Sequence, residues 1–331
     1  MWTIVEGCTA VGKSTLYETL KESVKGGADL VHMGQPAELT RRWALNEYVN
    51  KWTGDRADHT LADRWHWGEL TYSPIYRPDT NTDGYGLLGK AGWRWTELFL
   101  ASRGACVALL TADNKTLAAR LEDRGDDHVQ NLDELFRVSS LYDSARRESI
   151  NVAASFDTSD PVDEGAYKTF LDTFLEEAQR RSDASRLLIS RFPGYIGPLA
   201  PGLLLVGDKR NINEDRHGEE TILPFMPVDG NSGEFLLNAL PDMTWRTCGI
   251  INGAEIDNVP VLLTALGDPK VVALGNSAKA ALLAQGVDED SFAWMPHPQW
   301  ARRFHNAKQK AYGQAIVEAA DTGRDSSTWM L

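Results

Sequence analysis

The chain has 331 residues, 42% of them hydrophobic, and a formal net charge of −13. That length suits one or two domains with real cores, two being the better expectation, and the acidic balance argues against broad nonspecific affinity for nucleic acid, though not against a local basic cleft. No apolar stretch approaches a membrane span and the N-terminus enters a strand pattern at once, so neither a membrane location nor a secretion leader is expected. Cys8, Cys106 and Cys248 are scattered, fitting neither a disulfide frame nor a metal knuckle, which favours a reducing cytoplasm.

In chain order, the first half alternates strand and helix. Apolar runs predict strands at 2–6, 29–33, 58–63, 105–110 and 151–156. Helical periodicity falls at 13–24, 39–52, 65–72, 92–103, 113–123, 130–147 and 162–181. This alternation predicts an α/β domain over 1–184, a parallel sheet with helices on both faces. A polar run at 176–185 and the stretch F-P-G-Y-I-G-P-L-A-P-G at 192–202 place a linker at 185–202. A second alternation follows: a buried strand at 203–207, a helix at 232–240, a strand at 271–275, and a helix at 277–286 closing on Gly286. It predicts a second α/β domain over 203–320, with a frayed tail at 321–331. The eleven tryptophans are mostly core candidates; Trp65, Trp67, Trp93 and Trp95 cluster near site segments, where they are expected to be able to stack on a base.

Directly after the first strand, residues 7–15 read G-C-T-A-V-G-K-S-T, the phosphate-cradling pattern G-x-x-x-x-G-K-[ST] between strand and helix. Gly7 and Gly12 let the backbone turn its N–H groups on phosphate oxygens, with Ala10, Val11 and Thr15 completing the cradle. Lys13 supplies a point charge to the β- and γ-phosphates, and the Ser14 hydroxyl is placed to hold Mg²⁺. The helix adds its positive N-terminal end. ATP and Mg²⁺ are the expected cofactors.

Four more segments point to phosphoryl transfer. Asp63 and Arg64 end the third strand, where ligands gather in open parallel sheets. There Asp63 suits Mg²⁺ or acceptor orientation, and Arg64 suits a phosphate. Tyr72, Tyr76 and Arg77 follow as a nucleoside-pocket lining. Arg120 and Arg124 lie four apart on one helical face ahead of Gly125, a flap that neutralises charge on a moving phosphoryl group. Gln35 and Glu38, after the second strand, face an acceptor. Glu38 or Asp63 is the candidate base for a hydroxyl acceptor.

These segments resemble the thymidylate-kinase-like branch of the nucleotide kinases, through E-G-x-x-x-x-G-K-S-T at 6–15, D-R-W at 63–65, R-x-x-x-R-G at 120–125 and Tyr142. With E-Y at 47–48, D-R-W-H-x-x-E-L-x-Y-x-P-x-Y-R at 63–77 looks like the versions carried by bacterial viruses. The likeness implies that Arg64 contacts the acceptor phosphate or sugar, that Arg120 and Arg124 close over ATP, and that the chain pairs as a homodimer. G-Q-P-A-E at 34–38 stands where thymidylate kinases carry D-R-E-P.

The second half is similar to the uracil-DNA glycosylase superfamily in the order of L-L-L-V-G-D at 203–208, P-F at 224–225, I-I-N-G at 250–253 and M-P-H-P at 295–298. That resemblance implies a flipped base stacked on Phe225, its polar edge read by Asn252, with Gly207, Asp208, His297 and Pro298 at the matching positions and Arg302 and Arg303 on backbone phosphates. K-R-N follows Asp208 where the family carries proline, and Gln299 replaces its serine, so a base-reading module is expected rather than a hydrolase. Some bacterial viruses carry kinases that phosphorylate 5-hydroxymethyluracil in DNA, which fits both halves. Three readings follow: a kinase for a hydroxymethylated pyrimidine in DNA, a thymidylate-type kinase with an accessory domain, and a DNA-base glycosylase with a nucleotide-binding partner domain.

Overall fold

The computed structural model describes residues 1–23, 28–33, 40–53, 59–80, 83–124, 131–208, 223–228, 230–325 and 329. The first sheet has five strands: β1 (Trp2–Glu6), β2 (Asp29–His32), β3 (Thr60–Asp63), β4 (Cys106–Thr111) and β5 (Val152–Asp157). All pairs are parallel, in the order β2-β3-β1-β4-β5. β1 and β4 are almost wholly buried, as expected of a parallel sheet covered on both faces. Helices α1 (Lys13–Ser23), α2 (Arg41–Thr53), α3 (Gly89–Ser102), α4 (Asn114–Arg124), α5 (Leu132–Glu148) and α6 (Glu164–Arg191) alternate with the strands.

The second sheet has four strands, β6 (Leu203–Gly207), β7 (Cys248–Asn252), β8 (Lys270–Leu274) and β9 (Ala293–Met295), again parallel, in the order β7-β6-β8-β9. Its helices are α7 (Ser232–Ala239), α8 (Val259–Ala265), α9 (Asn276–Ala284), α10 (Pro298–His305) and α11 (Gln309–Thr322). The α/β class with helix-flanked parallel sheets holds in both halves. Among the described residues, no helix is long and apolar enough to cross a membrane.

The two compact units are Met1–Gly89 with Gly104–Ala184, and Lys90–Arg103 with Ser185–Leu331. The first unit ends at Ala184, as the expected first domain does, but Lys90–Arg103 and the stretch 185–202 belong to the second unit. The stretch at 185–202 is no loose linker: α6 continues to Arg191, and Phe192, Tyr195 and Ile196 are buried, with Ile196 bridged to Ile250. The helical period is carried there by small polar residues. Ser182, Ser185, Leu188 and Phe192 form a buried stripe, and the Ser185 hydroxyl donates to Ser102 O. Serines on that stripe make it read as a polar ending.

Nor does α3 stay with the first sheet, since nearly all of it belongs to the second unit. Arg94, fully buried, donates to Leu237 O and Leu240 O at the C-terminal end of α7 and pairs with Asp242. Trp95 Nε1 donates to Pro224 O at 3.1 Å. The expected helix at 65–72 is two single turns, Gly68–Thr71 and Ser73–Tyr76, the second started by Pro74. The tail also departs from expectation. α11 ends on left-handed Gly323, yet Trp329 is buried and its ring meets those of Tyr312 and His305.

Candidate functional site

In the first unit the register sets Asp63 beside Val5 and His32 beside Asp63, so the chemistry-bearing residues share the carboxyl end of the sheet. The phosphate-cradle loop leaves β1 there. Gly7, Ala10 and Gly12 all have positive φ (150°, 64° and 92°). A Cβ on Gly7 would stand 2.7 Å from Val11 Cγ1 and 2.8 Å from Leu110 O, so glycine is required. Lys13 Nζ donates to Gly7 O and Cys8 O, each at 2.9 Å, which folds the ammonium back over its own loop. Burial, with Arg64 adding like charge, lowers Lys13 to about 8. Val11 is buried; Ser14 and Thr15 are exposed at the start of α1. A positive-φ loop between strand and helix, with the Lys13 ammonium over it and the exposed Ser14 hydroxyl at its helix end, fits a nucleotide polyphosphate and Mg²⁺.

Asp63 is occupied on both oxygens. Tyr17 OH lies 3.3 Å from Oδ1, and His32 Nδ1 lies 3.0 Å from Oδ2. A carboxylate so held reaches a metal most simply through water. Neither Tyr17 nor His32 carries a sequence motif, so both escaped the sequence reading.

Arg64 has left-handed backbone (φ 61°), which costs a non-glycine residue about 1–2 kcal/mol. Its guanidinium lies 4.7 Å from the Tyr72 ring centroid, and Nη2 lies 3.4 Å from Thr9 Oγ1 of the loop. Tyr72 therefore supports the arginine with its ring face. Glu6, the last residue of β1, is fully buried: its Oε1 accepts from Trp65 N at 2.7 Å, and Tyr142 OH lies 3.4 Å from Oε2. Burial pushes the Glu6 carboxyl up to about 8, against the Trp65 N–H and the charges of Arg64 and Lys13.

Arg120 comes from α4. It donates to Thr158 Oγ1 (3.2 Å), Thr158 O (2.7 Å) and Asp160 Oδ1 (2.7 Å). The Thr158 hydroxyl donates to Val11 O at 2.9 Å, so one buried threonine after β5 joins the arginine to the cradle. Thr158 lies outside every motif and had no sequence signal. The Arg124 side chain, Gln35 and Glu38 lie outside the described residues.

Two expectations fail on contacts. Arg77 does not face an open pocket: its Nη2 donates to the buried Glu69 carboxylate at 2.9 Å, whose other oxygen accepts from Leu87 N. Trp65, Trp67, Trp93 and Trp95 are all fully buried, leaving no face for a base; Trp95 stacks on Phe99 instead.

In the second unit, the strand ends gather Asp208, Asn252, Gly275 and His297. Gly207 pairs with Asn252 in register, and a Cβ on Gly207 would sit 2.5 Å from Phe225 Cε2 and 2.9 Å from Asn252 Oδ1. Phe225, half-buried with left-handed backbone (φ 50°), stacks on His297 with centroids 5.9 Å apart. Asn252 is buried and its Nδ2 donates to Glu255 Oε1 at 3.2 Å. Asp208 Oδ1 accepts from Ala278 N at 2.9 Å in the first turn of α9. His297 Nδ1 accepts from Gln299 N at 3.1 Å, which leaves the neutral ring's proton on Nε2. Burial lowers its pKa below the ordinary value, with Asp208 pulling the other way. An aromatic face from the turn at 223–228, with an amide and a neutral imidazole at two strand ends, suits a planar heterocycle. Arg303 is exposed on α10, and Arg302 lines a cleft of about 320 Å³ with Asn231, Glu234, Asn238 and Gln309.

No protein-family model and no curated protein matches the chain. Among solved structures it is similar to the YorR protein of Bacillus subtilis, crystallised in complex with phosphorylated GDP. That match has 19% identity and a TM-score of 0.43, over 54% of this chain and 98% of that one. It is also similar to thymidylate kinase from Candida albicans, at 14% identity and a TM-score of 0.37, over 55% of this chain and 92% of that one.

Proposed function

We propose that the first unit is a nucleotide-kinase-like phosphotransferase that uses ATP and Mg²⁺, and that its acceptor is the hydroxymethyl group of 5-hydroxymethyluracil in DNA. The observation that carries the phosphotransferase reading is the cradle itself, with Lys13 folded over it and Arg64 and Arg120 tied to it through Thr9 and Thr158. Ser14, water and the phosphates themselves hold Mg²⁺, the common arrangement for this cation. Bound there, the ion neutralises charge on the phosphates. Lys13, Arg64 and Arg120 bring cations to the same sheet end.

The acceptor reading is supported by the second unit. Phe225, Asn252 and His297 offer stacking and hydrogen bonds to a pyrimidine, while Arg303 offers charge to a phosphate. A kinase for free nucleotides needs no such pocket. In this reading the protein works in the cytoplasm of an infected bacterial cell.

The test is transfer of label from γ-labelled ATP, offered separately to thymidine monophosphate and to duplex DNA containing 5-hydroxymethyluracil. Label on the DNA is expected. Label on the free nucleotide alone would replace the acceptor and keep the kinase, and release of free base without ATP would favour a glycosylase.

A further inference from the structure

We propose that Glu6 is a positioning residue for the Arg64 guanidinium, acting through the backbone of Trp65; the inference rests on the kinase reading above for its effect on catalysis.

The pairing of β1 with β3 ends at Val5 and Asp63. Arg64 N still donates to Val5 O at 3.0 Å, and the chain then takes its left-handed turn. The next N–H, that of buried Trp65, meets Glu6 Oε1 at 2.7 Å. Residues 5 and 6 thus hold the strained residue from both sides. The arginine side chain continues to Thr9 and the Tyr72 ring. Tyr72 meets the Tyr142 ring edge-on at 6.3 Å, and Tyr142 OH returns to Glu6 Oε2. The contacts close a circuit from Glu6 through Trp65, Arg64, Tyr72 and Tyr142 back to Glu6. One carboxyl oxygen fixes the backbone that aims the arginine, and the other holds Tyr142, whose ring meets the Tyr72 ring on which the arginine lies. A buried carboxyl is a costly filler beside apolar residues of similar volume. Its two acceptor oxygens are what an apolar side chain lacks.

Glu6→Gln keeps, at nearly the same length, an amide oxygen to accept from Trp65 N, while its NH2 can donate to the Tyr142 oxygen. Glu6→Asp is one methylene too short, and Glu6→Ala removes the acceptor. The first readout is the Arg64 Nε–H resonance in the free protein, assigned by its loss in Arg64→Lys. The second is steady-state transfer to duplex DNA containing 5-hydroxymethyluracil. Glu6→Gln is expected to keep the resonance and most of the activity. Glu6→Asp and Glu6→Ala are expected to shift the resonance and lower kcat/KM for the acceptor about tenfold or more, since small misplacements near the reacting groups are costly. The KM for ATP should stay within about twofold, and Glu6→Ala combined with Arg64→Ala should lose no more than Arg64→Ala alone. An unmoved resonance in both Glu6→Asp and Glu6→Ala, or losses that multiply, would overturn the proposal. If the wild-type protein transfers nothing, the kinase reading fails, while the resonance still decides the role of Glu6.

Discussion

Ala10, Arg64 and Phe225 hold left-handed backbone without being glycine, and each stands in a loop that carries site residues. Such strain persists only where neighbours over-determine it, and for Arg64 those neighbours are Val5 and Glu6. The same buried carboxyl gives a pH signature. Its folded pKa, about 8, lies above the ordinary 4.5. The folded state therefore binds more protons than the unfolded one in between, and stability from Glu6 falls as pH rises through that window. Lys13, lowered from 10.5 to about 8, works in the opposite sense above it, regaining stability as pH rises. The melting temperature of Glu6→Gln relative to wild type should therefore rise between pH 5 and 8; a constant difference would refute the buried-acid account. In the second unit, His297→Ala or Asn252→Ala should weaken use of modified DNA while leaving the KM for ATP unchanged, by kinetics with each substrate varied. Equal losses on a free nucleotide would contradict the reader role.

Strands and helices ending in motifs were legible in the sequence. The cradle loop, the Asp63–Arg64 strand end and the Asn252 and His297 strand ends all fall where their motifs put them, because each motif couples residue type to a strand end. What was hidden has no local signature. Thr158 is one threonine after an ordinary strand; its role exists only because β5 ends beside the cradle and α4. Arg77 reads like a substrate arginine, but buried Glu69 claims it, and no spacing announces that pair. Ser182 and Ser185 carry the helical period with polar side chains before Leu188 resumes it, so hydrophobic patterning stops α6 too early. The threonine makes a test at this scale. Thr158→Val keeps the shape and removes the hydroxyl that donates to Val11 O and accepts from Arg120 Nη1. Stability should fall by about 1 kcal/mol or more, the usual worth of one buried hydrogen bond being about 1 kcal/mol, and the KM for ATP should rise. Unchanged ATP use would separate Thr158 from the site.

For the chain as a whole, the segment Lys90–Arg103 leaves the first unit, builds part of the second and returns to β4. Arg94 holds the end of α7 and Trp95 holds Pro224 beside Phe225. A fragment of residues 185–331 therefore lacks one of its own core helices. Expressed alone, it should show no cooperative unfolding by calorimetry; a sharp transition would contradict the division. The most direct test of the central claim is transfer from γ-labelled ATP by the full chain, wild type against Lys13→Ala at matched melting behaviour. The cradle account predicts label on the acceptor with wild type and essentially none with Lys13→Ala. Substantial transfer by the variant, or none by either, would contradict it.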